Sequence, residues 1–269
     1  MKIYRHNDYG NLRSCLLCYP VNYKIANKSN EFYNKTDYSL AYNQYNNYIN
    51  YLIAEGIRVR FLDLVDSSKQ VYAKDVGFVI DNILFISKMN LNERQRETEA
   101  IKKFAIEDGI SHYIMQNNIE GGDVAVGDNV VFVGLSSRTS LKAVIELQQI
   151  LDLKKINKTV VPINFDNSML HLDCVFSLLG KDSAIVSPYV YDIEIIKEHI
   201  KNIIEITKEE ARGFGSNIVY LGDKRLVTSS ISVGNKLKNL GYDVKIIDLS
   251  EIVKGEGSVD CATLAFLRE

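Results

Sequence analysis

The 269 residues, 46% apolar and 25% charged, describe a globular chain able to bury a substantial core, in one or two domains by length. With 32 basic and 34 acidic side chains and a net charge of -2, the chain has no general pull toward nucleic acid or anionic membrane, both of which favour a basic face. No apolar run approaches the roughly 20 residues of a membrane helix, the opening MKIYRHNDYGNLRS lacks the order of a signal peptide, and three prolines with no low-complexity tract speak against disorder. Membrane, secreted and collagen-like readings fall away.

In chain order, the first element is an apolar strand, RSCLLCYP. It carries two of the four cysteines, Cys15 and Cys18, as C-x-x-C. Residues three apart on a strand point to opposite faces, so this pair reads as core, not as a metal or redox site. Four scattered thiols make no disulfide framework and suit a reducing, cytoplasmic compartment. A Tyr- and Asn-rich stretch, 19–51, reads as a surface loop leading into a helix over 37–55. A flap over a substrate is its sharper reading. The strand IRVRFLD follows.

A phrase then recurs: apolar strand, short turn of Asp, Gly, Asn or Lys, apolar strand. It occurs at 77–87, 123–134, 175–187 and 218–229. Its turn residues, such as Asp81-Asn82 and Gly222-Asp223-Lys224, tolerate the positive φ of hairpins. Helical stretches at 93–107, 139–152 and 230–240 are each followed by a short extended piece: SHYIM, TVVPI and DVKIID. The unit is strand, strand, helix, strand, of about 40–50 residues, a period typical of repeat architectures. Pairing the C-terminal CATLAFLR with the N-terminal RSCLLCYP completes a fifth copy. The expected fold is α/β: one domain spanning 1–269, with five ββαβ units closed into a ring that leaves no open edge.

Positions flanking each hairpin should face the axis of such a ring. Asp75 precedes the first hairpin, Glu120 and Asp123 open the second, and His171 and Asp173 open the third. Cys261 starts the last strand. Each lies against apolar sequence, where an unpaired charge is costly, so a ligand or mutual pairing must compensate. A Cys with a distant His is a generic sign of nucleophilic catalysis. Several acids around that thiol suit a planar cation, because a carboxylate takes guanidinium through two parallel hydrogen bonds. The two-residue spacing of His171 and Asp173 predicts one shared strand face. Neither H-x-D nor E-x-x-D is a zinc pattern, and Cys174 is too isolated to complete one.

These motifs resemble those of the guanidine-modifying enzymes of the pentein fold: arginine deiminases, dimethylarginine dimethylaminohydrolases and amidinotransferases. The resemblance is carried by Glu120-Gly121-Gly122-Asp123, the GLSSRT of 134–139, His171-Leu172-Asp173 and Cys261. It covers nearly the whole chain, whose length matches the compact dimethylarginine-hydrolase type. It implies that Cys261 attacks the guanidinium carbon, that His171 protonates the leaving amine and later activates water, and that Glu120 orients His171. It further implies that Asp75 and Asp173 grip the guanidinium nitrogens, that Asp123 backs the substrate pocket, and that Arg138 contacts an α-carboxylate. No metal or organic cofactor is required. The implied partner is a small guanidino compound such as arginine or a methylarginine, with no nucleic acid and no membrane; self-association as a homo-oligomer stays open.

Two positions depart from family habit. Lys74 stands before Asp75, where deiminases commonly show arginine and dimethylarginine hydrolases often an acid. Asp173 resembles deiminases and amidinotransferases, whereas a lysine is common there in dimethylarginine hydrolases. A second gripping carboxylate leaves less room for two N-methyl groups, which favours an unmethylated guanidine. Dimethylarginine hydrolysis and amidino transfer are the alternatives, with a non-catalytic binding protein of the same ring fold behind them. The glutamate of E-G-G-D looks more like the hydrolases.

Overall fold

Segments such as GFVI and ILFI are apolar on both faces, so any sheet built from them must be covered on both sides. The computed structural model, which describes residues 2–269, meets that demand with five three-stranded sheets. The chain runs β1 (Leu12–Leu17), α1 (Tyr38–Ala54), β2 (Arg58–Phe61), β3 (Gly77–Ile80), β4 (Ile83–Ile86), α2 (Glu97–Glu107) and β5 (His112–Ile114). It continues through β6 (Val124–Val126), β7 (Val130–Leu135), α3 (Leu141–Leu153), β8 (Thr159–Asn164), β9 (Phe176–Gly180), β10 (Ser183–Val186), α4 (Ile193–His199) and β11 (Asn202–Glu205). It ends with α5 (Lys208–Arg212), β12 (Ile218–Gly222), β13 (Arg225–Thr228), α6 (Ile231–Asn239), β14 (Asp243–Ile246), α7 (Ser250–Val253) and β15 (Leu264–Arg268).

Every sheet has the same plan. An antiparallel pair comes first, and a helix then crosses over to a third strand parallel to the second. First strands such as β3, β6 and β12 are buried along their whole length, whereas third strands such as β2 and β11 are half-exposed. First strands also meet one another, β15 against β3 and β6 against β9. The expected five-unit pentein ring is the observed fold.

Its closure is the antiparallel pairing of β1 with β15, from Leu12 opposite Arg268 to Leu16 opposite Leu264. Hairpin turns adopt the left-handed backbone their residues tolerate, with φ of 46° at Asp81, 53° at Asp223 and 62° at Lys224. Ser140 and Ser230 cap α3 and α6 by accepting from the third residue on. Cys15 and Cys18 are buried free thiols belonging to two different core clusters, as opposite strand faces require.

The Tyr-rich stretch packs much as its bland reading expects. Tyr45 and Tyr48 are fully buried on α1. Upstream, Tyr23 donates its hydroxyl to the Glu251 carbonyl at 2.8 Å, and Asn30 donates to the Lys254 carbonyl at 3.0 Å. The segment is thereby pinned beside the glycines that precede Cys261.

The ring-closing strand supplies the first prediction. Phe266 on β15 is fully buried and meets Phe104 of α2 edge-on at 5.7 Å. Phe266→Ala is expected to cost about 3–5 kcal/mol, as large aromatic truncations in cores do. Denaturant midpoints at unchanged slope measure it.

Candidate active site

A ring of first strands brings their starting ends to the axis, and each unit sets a polar side chain there. Asp75 precedes β3, Asp123 precedes β6, Asp173 precedes β9, Asn217 precedes β12 and Cys261 precedes β15. Three of these entries are 3-10 turns: Ala73–Val76, Gly121–Asp123 and Leu172–Cys174. The turns re-aim side chains away from simple strand alternation. This corrects the expected strand geometry for His171 and Asp173: His171 has extended backbone and Asp173 lies inside the turn, and His171 contacts Glu120 and Asp75 while Asp173 contacts Lys74 and Cys261.

His171 turns toward the carboxylates. Its Nε2 lies 2.9 Å from Glu120 Oε2, and its Nδ1 faces Asp75 Oδ1 at 3.7 Å. Burial alone would lower its pKa, but Asp75, then Asp123 and Glu120, oppose that and push it up to about 10. The ring is therefore an imidazolium at neutral pH. Asp75 accepts from Arg94 Nη1 at 2.8 Å through Oδ2. Against burial, His171 and then Arg94 hold Asp75 below the ordinary carboxylate range.

Asp123 is spent on the protein itself. Its Oδ1 accepts from the Leu172 amide at 2.9 Å, and its Oδ2 from the hydroxyls of Ser136 at 2.7 Å and Thr139 at 2.6 Å. It ties the GLSSRT segment to the His171 turn and leaves no oxygen for a ligand. Gly122 explains the neighbouring glycine pair: a Cβ there would lie 2.7 Å from His171 Nδ1. At Gly121 a Cβ would strike the Lys74 carbonyl oxygen.

The thiol side has its own network. Asn217 donates its side-chain amide to Cys261 Sγ at 3.1 Å, while its Oδ1 accepts from the Asp260 amide at 2.8 Å. Asp173 Oδ2 lies 3.6 Å from Cys261 Sγ, and its Oδ1 takes the Cys174 thiol at 3.5 Å. Lys74 reaches the same Asp173 Oδ2 at 3.3 Å and also hydrogen-bonds Asp260. Burial, then the Asp173 carboxylate, push the Cys261 thiol well above its usual pKa.

What remains is a set of vacancies. Among the described residues, Asp75 Oδ1, Glu120 Oε1, His171 Nδ1 and Arg138 Nη1 are buried without a hydrogen-bond partner. Arg138 Nη1 stands 3.7 Å from Glu120 Oε1. Asp75, Glu120 and His171 each bring an atom within 4.8 Å of the others, but the protonated imidazole has no lone pair to give, so the two carboxylate oxygens are the acceptors on offer to a cation.

A family model described as N,N dimethylarginine dimethylhydrolase, eukaryotic, matches residues 21–268. The chain belongs to this dimethylarginine dimethylhydrolase family. It is 31% identical to the uncharacterised protein YkgA of Bacillus subtilis, over 97% of this chain and 94% of that one. It is 25% identical to the N(G),N(G)-dimethylarginine dimethylaminohydrolase of Streptomyces coelicolor, over 87% of this chain and 89% of that one. The N-terminal domain of ArgZ, a cyanobacterial arginine dihydrolase, superposes with a TM-score of 0.85 at 22% identity, covering 95% of this chain and 98% of that domain. This family member is thus a pentein enzyme acting on guanidino C–N bonds, of the hydrolase class for linear amidines.

The resemblance-based site list omits three residues that the structure brings to this family member's axis. Asn217 was within reach, since it opens the fourth hairpin as Asp75 opens the first. Arg94 gave no signal, being one charge among several in ERQRETE. Asp260 was hidden behind the more reactive Cys261 beside it. Of the other histidines, His6 bonds Asp81 at 3.0 Å and His112 bonds its local Ile110 carbonyl at 2.9 Å. His199 meets the Phe132 ring edge-on at 5.6 Å.

The charge on His171 gives a pH prediction. Its pKa rises on folding from 6.5 to about 10. Below pH 6.5 folded and unfolded chains both hold the proton; between the two values only the folded chain does. Stability therefore falls as pH rises through that window. His171→Gln should flatten this slope, read as the difference between wild-type and variant denaturation free energies from pH 6 to 10.5.

Proposed function

We propose that this enzyme hydrolyses an unmethylated guanidine such as arginine, releasing ammonia, through a covalent thioether on Cys261. The observation that carries this reading is the group of four partnerless buried atoms, acceptors on Asp75 and Glu120 and donors on His171 and Arg138, with Asp75 3.7 Å from His171 and Glu120 3.7 Å from Arg138. A guanidinium presents five N–H donors in a rigid plane, which suits vacant carboxylate oxygens far better than a spherical ion would require.

In this mechanism Asp75 Oδ1 and Asp173 hold the guanidinium nitrogens and fix its carbon near Cys261 Sγ. Held reactants avoid much of the entropic cost of a bimolecular encounter. The free thiol is protonated, and the arriving cation offsets the carboxylate that helps hold it so; substrate binding therefore favours thiolate with release of the thiol proton to solvent, His171 already carrying its own. Sulfur then bonds to the carbon, and the tetrahedral adduct breaks its C–N bond as the leaving nitrogen takes the His171 Nδ1 proton. Water next yields a proton to the same Nδ1 and attacks the amidino-thioether. Collapse of that adduct frees Cys261 and a ureido product. Glu120 on Nε2 keeps the ring oriented and its charge balanced. Asp123 acts by positioning, not by touching substrate.

Asp173 supports the unmethylated preference. A buried carboxylate facing two methyl groups would lose its partners while staying desolvated, a penalty of about 1–3 kcal/mol. A cavity of about 300 Å³, lined in part by Ser137, Leu170, Cys174, Arg212 and Glu256, gives room for an aliphatic tail. Arg138, beside Ser137, is the candidate reader of an α-carboxylate. The Streptomyces relative and the family model favour dimethylarginine as the second reading.

Cys261→Ala should abolish turnover while the fold and guanidine binding persist, and His171→Gln should stall at or before the thioether, seen by mass spectrometry of the quenched enzyme. Undiminished turnover in the alanine variant would sink the mechanism. The substrate is read from kcat/KM for arginine, asymmetric dimethylarginine and agmatine, with glycine or ornithine added to detect amidino transfer. Arginine is expected to exceed dimethylarginine by roughly tenfold to a hundredfold. Faster turnover of dimethylarginine would install the second reading, and a preference for agmatine would remove Arg138 from its role.

A further inference from the structure

Beneath the thiol lies one ammonium between two carboxylates. Lys74 Nζ hydrogen-bonds Asp260 Oδ2 and lies 3.3 Å from Asp173 Oδ2, with all three side chains at most 19% exposed. Asp260 is fixed by its own amide, which donates to Asn217 at 2.8 Å, and it is joined by one peptide bond to Cys261. Asp173 is fixed by its backbone carbonyl, which accepts from the Ser216 hydroxyl at 3.0 Å. Two cavities of about 20 and 30 Å³ flank the group, and Lys74, Asp260 and Asp8 line both. Each has room for about one or two waters, so the lysine head has space to lean either way.

We propose that Lys74 and Asp260 set how much charge Asp173 presents to the guanidinium. Ionised, Asp260 holds the ammonium and leaves Asp173 to the substrate; neutral, it releases the ammonium to Asp173, which is then already paired. Lys74 and Asp260 are positioning residues that act through Asp173, and the inference rests on the reading of Asp173 as a guanidinium grip. One buried ammonium cannot compensate two buried carboxylates, so one acid must be the easier to protonate. Burial, then repulsion from Asp173 working against Lys74, push Asp260 up to about 6. Lys74 stays an ammonium: burial alone would lower it, but Asp260 and then Asp173 raise it. Asp8 adds negative charge and Arg268 positive charge from the ring-closing strand, and the Tyr48 hydroxyl faces the group from α1. As pH falls through about 6, Asp260 takes a proton and KM rises.

The test is a pair of variants with arginine as probe, or whichever guanidine the substrate screen selects. Asp260→Asn should raise KM about tenfold at pH 7.5, change kcat less than about threefold, and abolish the rise in KM between pH 7 and 5. The double change Asp260→Asn with Lys74→Met should bring KM back to within about threefold of wild type, because Asp173 is no longer paired with an ammonium. A purely structural role predicts no such rescue. Asp173→Asn separates the two levels. If it raises KM while Asp260→Asn does not, the Lys74–Asp260 inference alone is overturned; if Asp173→Asn leaves KM unchanged, the grip and this inference fall together. Should Asp260→Asn not fold, Cys261→Ala serves in calorimetry at pH 6 in buffers of different ionisation heat. Arginine binding should then release protons as Asp260 ionises, and binding without proton release overturns the proposal.

Discussion

Carboxylates brought to the axis of a ring of apolar strands must be compensated, and the arrangement of the site follows from that demand. An unpaired buried charge costs several kcal/mol. Each acid here has its own answer. Asp75 has Arg94, Glu120 has His171, Asp123 has two hydroxyls and an amide, and Asp173 has Lys74 and two thiols. The compensation is complete for Asp123 and incomplete for Asp75 and Glu120, each of which keeps one oxygen without a partner. Identical chemistry in a pseudo-symmetric frame has split into a brace and a receptor. Local donors made the difference.

The same electrostatics set the resting protonation. Asp75, Asp123 and Glu120 charge His171, while burial and then Asp173 keep Cys261 protonated, so the free site holds thiol and imidazolium, not the thiolate and imidazolium of many cysteine hydrolases. In the proposed mechanism such a site has its proton donor ready and its nucleophile latent. A cationic substrate reverses the second condition without disturbing the first, since it neutralises the carboxylates nearest the sulfur. Asn217, donating to that sulfur at 3.1 Å, is placed to stabilise the thiolate once it forms.

Much of this was legible in the sequence because the ring repeats its local chemistry. Hairpin turns demanded Asp, Gly and Lys at positive φ, and fully apolar strands announced burial on both faces. The fifth unit could be inferred because RSCLLCYP and CATLAFLR would otherwise be exposed edges. The H-L-D spacing misled because two residues apart means one face on a strand but not in a 3-10 turn, and His171 and Asp173 consequently serve different neighbours. Arg94 was illegible for another reason: its partner Asp75 lies across the hairpin of its own unit and Glu120 opens the next unit, and only folding puts both within 4 Å. Lys74 was noticed as a departure, yet its consequence needed Asp260, whose relevance is invisible until the chain's two ends meet.

Vacant hydrogen-bonding atoms locate function here more sharply than cavity size does. Ten buried side-chain atoms lack partners among the described residues. Four of these belong to hydroxyls, on Ser14, Tyr45, Ser87 and Tyr189, whose rotation or a bound water can satisfy them at small cost. Carboxylate oxygens have no such freedom when their other oxygen is already anchored. Both partnerless carboxylate oxygens, those of Asp75 and Glu120, flank His171, and the partnerless guanidinium nitrogen of Arg138 faces one of them. A fold that completes the hydrogen bonds of Asp123 with three donors had the means to complete these as well. In the proposed function, leaving them open keeps acceptors for a planar cation beside His171, and the affinity of the site for that cation is drawn from the stability forgone.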